Sequence, residues 1–580
     1  MCTLTAGSTR QGGVMKGRSV RLLGYLWLCA LGGALLFSAY QADQRSQRVE
    51  EYALGCDPFG YLMMAREIRQ AASTLVLPQF HLELTQTRGL IELMQSRDVP
   101  LALWDEIVAP HAHHYFPQAG SVGVQYPPGA GLMLALFPEG HAVAGLTRAT
   151  VVLFVAAGIL LLALAGARQA WLSAGFVALA LHLGLGMLGK IGTDSFSINA
   201  ALAPLLLGFT CVFTALAFRA GSGRGRAAWV TALLGGGLLG LAILIRLPII
   251  FLVPGLVILL WPVSWRLSVR DLPIPFGLGM MVTGILPLLA HQYRMTGAWY
   301  LATYGRDDRA PPSLEALGSN LIYYLGGGPG SKHNWALLAV LIGFGGFIAY
   351  YRRPKPTSLD LSSTRLLGSA LVLWGLPTVY FLTHRIAISY YSIPATFGTV
   401  LLLALGTLTI EGYGSPVVSR TGSTTGAWRY WAALALALAL LPGIATLKRA
   451  RSAYIRHEVP LERPARHFVL PAELSATHAW VWADILTGTL WYYANKPAFK
   501  MGFTDPETRA LAYRYVFERG EPQYVIRDSE GMQSIMDEIS QMGGLIEPRG
   551  KVDGHPYFLI RWPKGGPTRI TWHGAKKDDG

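Results

Sequence analysis

Apolar residues lie along this chain in long, nearly uninterrupted runs, each close to the roughly 20 residues that an α-helix needs to cross a hydrocarbon core. The pattern predicts an α-helical, polytopic membrane protein with about eleven transmembrane helices. The runs lie near 22–40, 149–167, 171–189, 194–218, 228–246, 248–262, 274–292, 335–351, 366–383, 392–410 and 428–447.

Composition supports this class. The chain is 52% hydrophobic and only 14% charged, whereas about a quarter of the residues of a soluble globular protein are charged. These values exclude a cytosolic enzyme, a secreted disulfide scaffold and a disordered chain. The four cysteines show neither a disulfide framework nor the spacing of a zinc site.

The placement of Lys and Arg predicts the orientation of the helices. Basic residues gather in a leader at 1–21, and the first apolar run is longer than the core of a signal peptide, which favours a retained anchor over a cleaved signal. Basic residues recur in the connections at 219–227, 263–272, 351–365 and 411–427. An excess of Lys and Arg marks cytoplasmic loops, so the N-terminus is predicted in the cytoplasm and the C-terminal segment outside it. The composition fits the inner (plasma) membrane of a bacterium.

Two polar segments on the predicted outer side are too long to be simple connectors. The first, 41–148, belongs to a transmembrane domain at 22–450. The second, 451–563, predicts a small extracytoplasmic α/β domain, with strands near 478–484, 523–527 and 557–562 and helices beginning at 505 and 530. Residues 564–580 are rich in Gly and Lys and predict a flexible tail.

One interruption affects the count of spans. Arg246-Leu247-Pro248 breaks the apolar stretch 228–262, which is either two short spans or one kinked helix. The side on which the C-terminus lies depends on that choice.

A net charge of +15 would point to nucleic acid in a soluble protein. Here the basic residues punctuate the apolar runs, so no nucleic-acid partner is predicted. The sequence also lacks a Walker loop, a dinucleotide-binding glycine pattern and a nucleophile elbow. Use of ATP or a nucleotide sugar in the cytoplasm therefore has no support.

Polar residues suited to chemistry cluster at the predicted outer boundary of the membrane. Asp57 follows the first span, and Gln125-Tyr126-Pro127-Pro128-Gly129 leads from the same outer loop into an apolar run. Asp194 opens the fourth predicted span. The other candidates at this boundary are Glu67, Lys190, Arg246, His384, Arg385, Tyr390 and Tyr391.

This ordered set resembles the GT-C superfamily of integral membrane glycosyltransferases, which includes protein O-mannosyltransferases and the aminoarabinose transferase of lipid A. In those enzymes an acid follows the first helix, a Pro-Pro motif comes later in the same loop, and a second acid opens a following helix. Asp57, Pro127-Pro128 and Asp194 match these positions. The stretch 385–394 is similar to the family's "Arg…Tyr-Tyr…Pro" segment, and 484–494 to its "Ser-Gly-Ser…Tyr-Tyr" segment.

The resemblance implies transfer of a sugar from a polyprenyl-phosphate donor to an acceptor hydroxyl at the outer face, usually with inversion. The acceptor would be a lipid, a polysaccharide or a protein, and the apolar helices would hold the prenyl chain within the bilayer. The attacking hydroxyl must lose a proton, so a boundary carboxylate suits a general base, and Asp57 is the predicted base, with Asp194 the second catalytic candidate. The leaving phosphate needs fixed cations, for which Arg385, Lys190 and Arg246 are the candidates.

Each of these assignments has a structural alternative. Asp57 beside Pro58 suits a turn, and Asp194 suits a helix cap. Basic residues near helix ends commonly snorkel to the interface, which accounts equally for Lys190 and Arg246. Glu67 either contacts the acceptor or faces water. The pair Tyr390-Tyr391 also fits an aromatic belt.

A divalent metal is an alternative interpretation of one polar burst. Trp104-Asp105-Glu106 precedes His111, His113 and His114, and imidazole with carboxylate is a common ligand set for such ions. Some GT-C members use a metal, but the spacing here matches no specific ligand motif. The sequence therefore assigns no metal ligand, and a divalent metal stays the one cofactor left open.

Two other functions fit the same outline. One is a ligase or polymerase that moves whole lipid-linked glycans, and the other is a transporter or flippase of lipid-linked sugars. A transporter is expected to contain internal repeats and charged or broken helices near the middle of the bilayer. The candidates here lie at one boundary, which favours the glycosyltransferase.

Overall fold

The computed structural model describes residues 9–46, 53–82, 85–105, 107–167, 171–191, 196–220, 225–262, 271–304, 313–324, 363–384, 393–413, 468–502 and 505–568. Within these ranges, six helices are long and apolar enough to cross a membrane, which describes a multi-pass membrane protein: Gly24–Asp43, Ala142–Ala167, Ser197–Arg219, Gly225–Ile245, Pro273–Thr296 and Arg365–Thr383. Shorter apolar helices lie at Ser173–Leu185, Leu247–Leu260 and Pro394–Gly406. The count of eleven stays a prediction, because the runs at 335–351 and 428–447 lie outside the described residues.

Helices make up most of the described residues up to 413, with three short strands in the loop 41–148, and beyond residue 468 they alternate with strands. In chain order they are α1 (Thr9–Ser46), α2 (Cys56–Thr74), α3 (Arg88–Ser96), α4 (Gly129–Ala135), α5 (Ala142–Ala167), α6 (Trp171–Ile191), α7 (Phe196–Ala220), α8 (Gly225–Ile245), α9 (Val253–Leu260), α10 (Pro273–Met280), α11 (Leu286–Thr296), α12 (Leu314–Tyr324), α13 (Ser363–Thr383), α14 (Ile393–Tyr413), α15 (Ala472–Ser475), α16 (Thr487–Ala494), α17 (Pro506–Glu518) and α18 (Gly531–Gln541). A π-helical turn at Met281–Ile285 joins α10 to α11.

The apolar stretch 228–262 is broken at Arg246. Helix α8 ends at Ile245, Arg246 is extended with φ −148° and ψ 106°, and a 3₁₀ helix at Leu247–Leu252 precedes α9. Pro248 has no N–H with which to continue the hydrogen-bond ladder of α8. Two helices therefore fill this stretch, and Arg246 lies at their junction.

Two sheets lie in the segments predicted outside the membrane. The loop 41–148 contains a three-stranded antiparallel sheet, in the order β1-β3-β2. Residues 468–568 contain a five-stranded sheet in the order β5-β4-β6-β8-β7, in which β4 is parallel to β5 and β6. The strands are β1 (His81–Leu82), β2 (His113–Phe116), β3 (Ser121–Val124), β4 (Trp480–Ala483), β5 (Phe499–Lys500), β6 (Gln523–Ile526), β7 (Leu545–Val552) and β8 (His555–Arg561). The strands predicted near 478–484, 523–527 and 557–562 are thus present.

Asp505 begins α17, as the sequence predicts. Its carboxylate accepts hydrogen bonds from the backbone N–H groups of Glu507 at 3.0 Å and Thr508 at 3.1 Å. Pro506 occupies the first helical position, where its missing N–H costs nothing.

One hydrophobic core joins the loop 41–148 to the C-terminal sheet. Trp480 and Trp482 on β4 are fully buried in a cluster that also contains Leu90 and Ile91 of α3 and Trp104. Burial of each large apolar side chain contributes about 2–3 kcal/mol relative to an exposed position. The sequence predicts the loop 41–148 and the C-terminal domain as separate segments, but in the structure they share one core.

The first residues of the predicted tail are packed as well. The backbone N–H of Thr568 donates to the Met542 carbonyl at 3.0 Å, and Arg514 donates to the Pro567 carbonyl at 2.8 Å. Residues 569–580 lie outside the described residues.

Candidate functional site

Asp57 lies in the first turn of α2. Free backbone N–H groups and the helix dipole favour a negative charge at that end of a helix. The hydroxyl of Tyr126 donates a hydrogen bond to Asp57 Oδ1. Because Tyr126 directly precedes Pro127-Pro128, the structure brings two of the predicted motifs together.

Glycines allow α4 to pack between the helix that carries Asp57 and the helix that ends before Arg246. A Cβ added to Gly129 would lie 2.5 Å from the backbone nitrogen of Ile245, and one added to Gly131 would lie 2.5 Å from Met64 Cβ. Contacts this short are essentially absent from real proteins. Gly129 therefore allows α4 to approach α8 closely, and Gly131 allows it to approach α2.

Replacing Gly129 by Ala is expected to destabilise the protein by about 1–3 kcal/mol, because backbone atoms rather than a flexible side chain must move. The measurement is the thermal unfolding midpoint of purified protein in detergent. Gly277→Ala is the matched control, because a Cβ at Gly277, on α10, meets nothing within 4 Å. Equal midpoints for the two variants would contradict the packing described here.

Arg246 is connected to the same cluster. It is buried and donates from Nη1 to Ser197 Oγ at 3.1 Å. The hydroxyl of Tyr61 is also hydrogen-bonded to Ser197, and the Tyr61 and Tyr126 ring centroids are 4.6 Å apart. A continuous set of side-chain contacts thus joins Asp57 to Arg246.

An apolar cleft opens beside Arg246. It lies between the 3₁₀ helix, the end of α13 and the start of α14, and it is lined by Arg246, Pro248, Ile249, Leu252, Pro377, Phe381, Pro394 and Ala395. An apolar surface next to a cation suits a hydrocarbon chain that ends in an anionic group.

His384 lies at the same end of the bundle. It is buried at the end of α13, and its ring stacks on Tyr380 with centroids 5.2 Å apart. Asn320 donates to its backbone carbonyl at 2.6 Å. His384 follows Phe381, which lines the cleft, by three residues.

Among the other predicted site residues, Glu67 has a described side chain, and it does not join this cluster. Glu67 lies on α2 about 15 Å along the helix axis from Asp57, and partial burial raises its pKa. Lys190 belongs to the last turn of α6. The side chain of Lys190, together with Asp194, Arg385, Tyr390 and Tyr391, lies outside the described residues. The roles assigned to these residues stay predictions.

The protonation states of the cluster follow from burial. Burial raises the pKa of the Cys56 thiol to about 12, and the neighbouring charge of Asp57 adds to the effect. Burial, followed by Asp57, also raises the pKa of Tyr61 and Tyr126 well above their usual range. The thiol and both hydroxyls therefore keep their protons at neutral pH.

The three histidines of the polar burst contact protein groups. His111 Nε2 lies 3.3 Å from Asp484 Oδ1, and His114 Nε2 lies 2.7 Å from Gln125 Oε1. His113 Nδ1 lies 3.1 Å from the His111 carbonyl, and burial lowers its pKa to about 4. Over the part of the chain that the structure describes, no three His, Cys, Asp or Glu side chains converge as metal ligands would. These described residues do not fit a divalent ion.

The segment 484–494 fixes the start of α2. Three hydrogen bonds connect the two: Gly55 N to the Ile485 carbonyl at 3.2 Å, Thr489 Oγ1 to the Ala53 carbonyl at 2.8 Å, and Ala53 N to Tyr493 Oη at 3.3 Å. The C-terminal unit therefore sets the position of the helix end that carries Asp57.

Sequence reasoning missed three residues of the cluster. Tyr126 lies in the predicted motif 125–129 and Tyr61 lies four residues after Asp57, and this proximity to predicted residues is the available signal. Ser197 lies one turn after Asp194 and carries no signal of its own, because a Ser at the start of an apolar helix is commonplace.

Comparison with known proteins gives a similarity of structure. No family model and no curated protein matches the sequence. The solved structures similar to this chain include two of ArnT from Cupriavidus metallidurans. The apo structure of ArnT from Cupriavidus metallidurans is 14% identical over 92% of this chain and 98% of that one, with a TM-score of 0.49. For the same enzyme bound to undecaprenyl phosphate the identity is 15%, the coverage 92% and 98%, and the TM-score 0.45.

Proposed function

We propose that this protein is an integral membrane glycosyltransferase that transfers a sugar from a polyprenyl-phosphate donor to an acceptor hydroxyl at the outer face of the membrane. The proposal includes inversion at the anomeric carbon, with Asp57 as general base. The order of motifs along the sequence supports the reaction class, and the geometry of the cluster supports the roles proposed for Asp57 and Arg246.

A single observation carries the proposal: Asp57 and Arg246 belong to one contact set, and Arg246 borders an apolar cleft. A carboxylate that accepts a proton and a cation that stabilises a phosphate are the two groups that this reaction requires. The cleft offers the prenyl chain an apolar surface directly beside that cation.

The proposed reaction is a direct displacement at the anomeric carbon. The acceptor oxygen forms a bond to the anomeric carbon while the bond from that carbon to the phosphate oxygen breaks. The acceptor proton moves to Asp57, and the electron pair of the broken bond leaves with the polyprenyl phosphate. Arg246 stabilises the charge that grows on the leaving oxygen.

The experiment is a donor panel. Membranes from cells that express the chain are incubated with polyprenyl-phosphate sugars labelled in the sugar, and the release of polyprenyl phosphate is measured against membranes from cells that lack the chain. One donor of the panel is expected to be consumed, and nuclear magnetic resonance of the product should show the inverted anomeric configuration.

Two results would contradict the proposal. A product of retained configuration would exclude direct displacement with Asp57 as base. Movement of an intact lipid-linked sugar across sealed vesicles, without cleavage of its phosphate bond, would instead identify a flippase.

A further inference from the structure

The Tyr126 hydroxyl lies between Asp57 and a series of polar side chains, each of which contacts the next. Besides donating to Asp57 Oδ1, it lies 3.0 Å from Cys56 Sγ. Gln125 Nε2 donates to the same sulfur at 3.0 Å, and His114 Nε2 lies 2.7 Å from Gln125 Oε1. This series of side-chain contacts ends at Asp105, whose Oδ2 lies 3.4 Å from His114 Nδ1. Tyr126, Cys56 and Gln125 therefore each have a polar partner on both sides.

The ring of Tyr126 is fixed as firmly as its hydroxyl. A Cβ on Gly60 would lie 2.7 Å from Tyr126 Cδ2, so only glycine allows the ring to lie against α2. The Tyr61 ring packs beside it, and the Tyr304 ring meets it edge to face with centroids 6.4 Å apart. His291 Nε2 lies 3.1 Å from the Tyr126 carbonyl. The side chain is 6% exposed and has little room to take another rotamer.

We infer that Tyr126 is a positioning residue for Asp57, held in place by Cys56, Gln125 and His114. The inference rests on the proposed function. A hydroxyl that donates to a carboxylate stabilises its ionised form and limits its rotation. Because Tyr126 keeps its own proton, it acts on the reaction through Asp57.

Other ionisable groups also act on this cluster. Cys56 and Tyr61 belong to α2 itself, as does Asp57. From neighbouring elements, Tyr304 and Arg246 act on Tyr61, and Lys500 of β5 acts on Cys56. Replacing Tyr126 by Phe leaves all of these groups in place and removes a single oxygen.

The test is the pH profile of kcat for Tyr126→Phe, measured with the donor that the wild type consumes. A carboxylate that loses a hydrogen-bond donor binds a proton more tightly, so the acid limb of the profile should move to higher pH by about one unit. At neutral pH, kcat should fall roughly tenfold, while KM for the donor changes less than twofold. Cys56→Ser should retain more activity than Cys56→Ala, because a serine hydroxyl can replace the thiol in its contacts with Tyr126 and Gln125.

Tyr115→Phe is the matched control. Tyr115 is a buried tyrosine on β2 in the same loop, and its hydroxyl accepts a bond from Gln95 at 3.4 Å. This control should keep the wild-type profile. A Tyr126→Phe variant whose acid limb does not move would overturn the inference and leave the proposed function intact. If Asp57→Asn keeps the wild-type rate, the assignment of the base fails, and this inference fails with it.

Discussion

Asp57→Asn is expected to lower kcat by about 10²–10⁴, the range that general-base catalysis supplies. An amide oxygen still accepts the hydrogen bond of Tyr126, so the end of α2 keeps its contacts. The amide has no basic oxygen to take the proton of the acceptor, so the loss should fall on kcat rather than on donor binding. The measurement is release of polyprenyl phosphate at saturating donor.

Asp98→Asn is the matched control for that variant. Asp98 lies in the same loop, is exposed, and has φ +52°, a conformation that Asn adopts as readily as Asp. It should retain the wild-type rate. An Asp57→Asn enzyme as fast as this control would contradict the assignment of Asp57 as base and would leave Asp194 as the other candidate carboxylate.

Arg246→Gln is expected to lower kcat by about 10²–10³, because a cation beside the leaving phosphate acts mainly on charge that develops in the transition state. Donor KM should change less. Arg246→Lys restores the charge without the bidentate geometry and should recover part of the rate. The same release assay measures both variants.

Two further variants separate charge from structure. Ser197→Ala removes the hydrogen bond that Arg246 donates and keeps the cation, so its rate should fall less than that of Arg246→Gln. Arg219→Gln removes an arginine that pairs with Asp271 at 3.0 Å, on the side predicted to be cytoplasmic, and should leave the rate unchanged. If Ser197→Ala and Arg246→Gln lose the same activity, the arginine matters for packing and not for its charge.

The elements most evident in the sequence are those whose pattern is local. An apolar run of about 20 residues predicts a helix wherever it lies, and the described helices at 142–167 and 363–383 cover two such runs. Asp505-Pro506-Glu507 predicts the start of α17 because a helix cap needs only its own neighbours. The break at Arg246 is also local: Pro248 lacks the N–H that would continue the helix, and Arg246 takes an extended conformation.

The candidate site could be predicted only in part, because its contacts are not local. The position of Asp57 after the first span predicts that it is a site residue, but its hydrogen-bond partner Tyr126 is 69 residues away in the sequence. The bond from Thr489 to the Ala53 carbonyl spans 436 residues. The hydrophobic periodicity of neither segment indicates that Thr489 and Ala53 are in contact. The sequence therefore does not predict this hydrogen bond. The sulfur contact of Cys56 likewise depends on where Gln125 is placed.

The core shared by α3 and β4 has a consequence for how the protein is made. Leu90 leaves the ribosome roughly 390 residues before Trp480, which at about 5–20 residues per second is a delay of tens of seconds. During that interval the apolar face of α3 lacks the tryptophans that cover it. The acid on α2 likewise waits for residues 485–493 to arrive. The contacts that fix the end of α2 beside Asp57 therefore form late in biosynthesis, and a nascent chain that stalls before residue 485 lacks them.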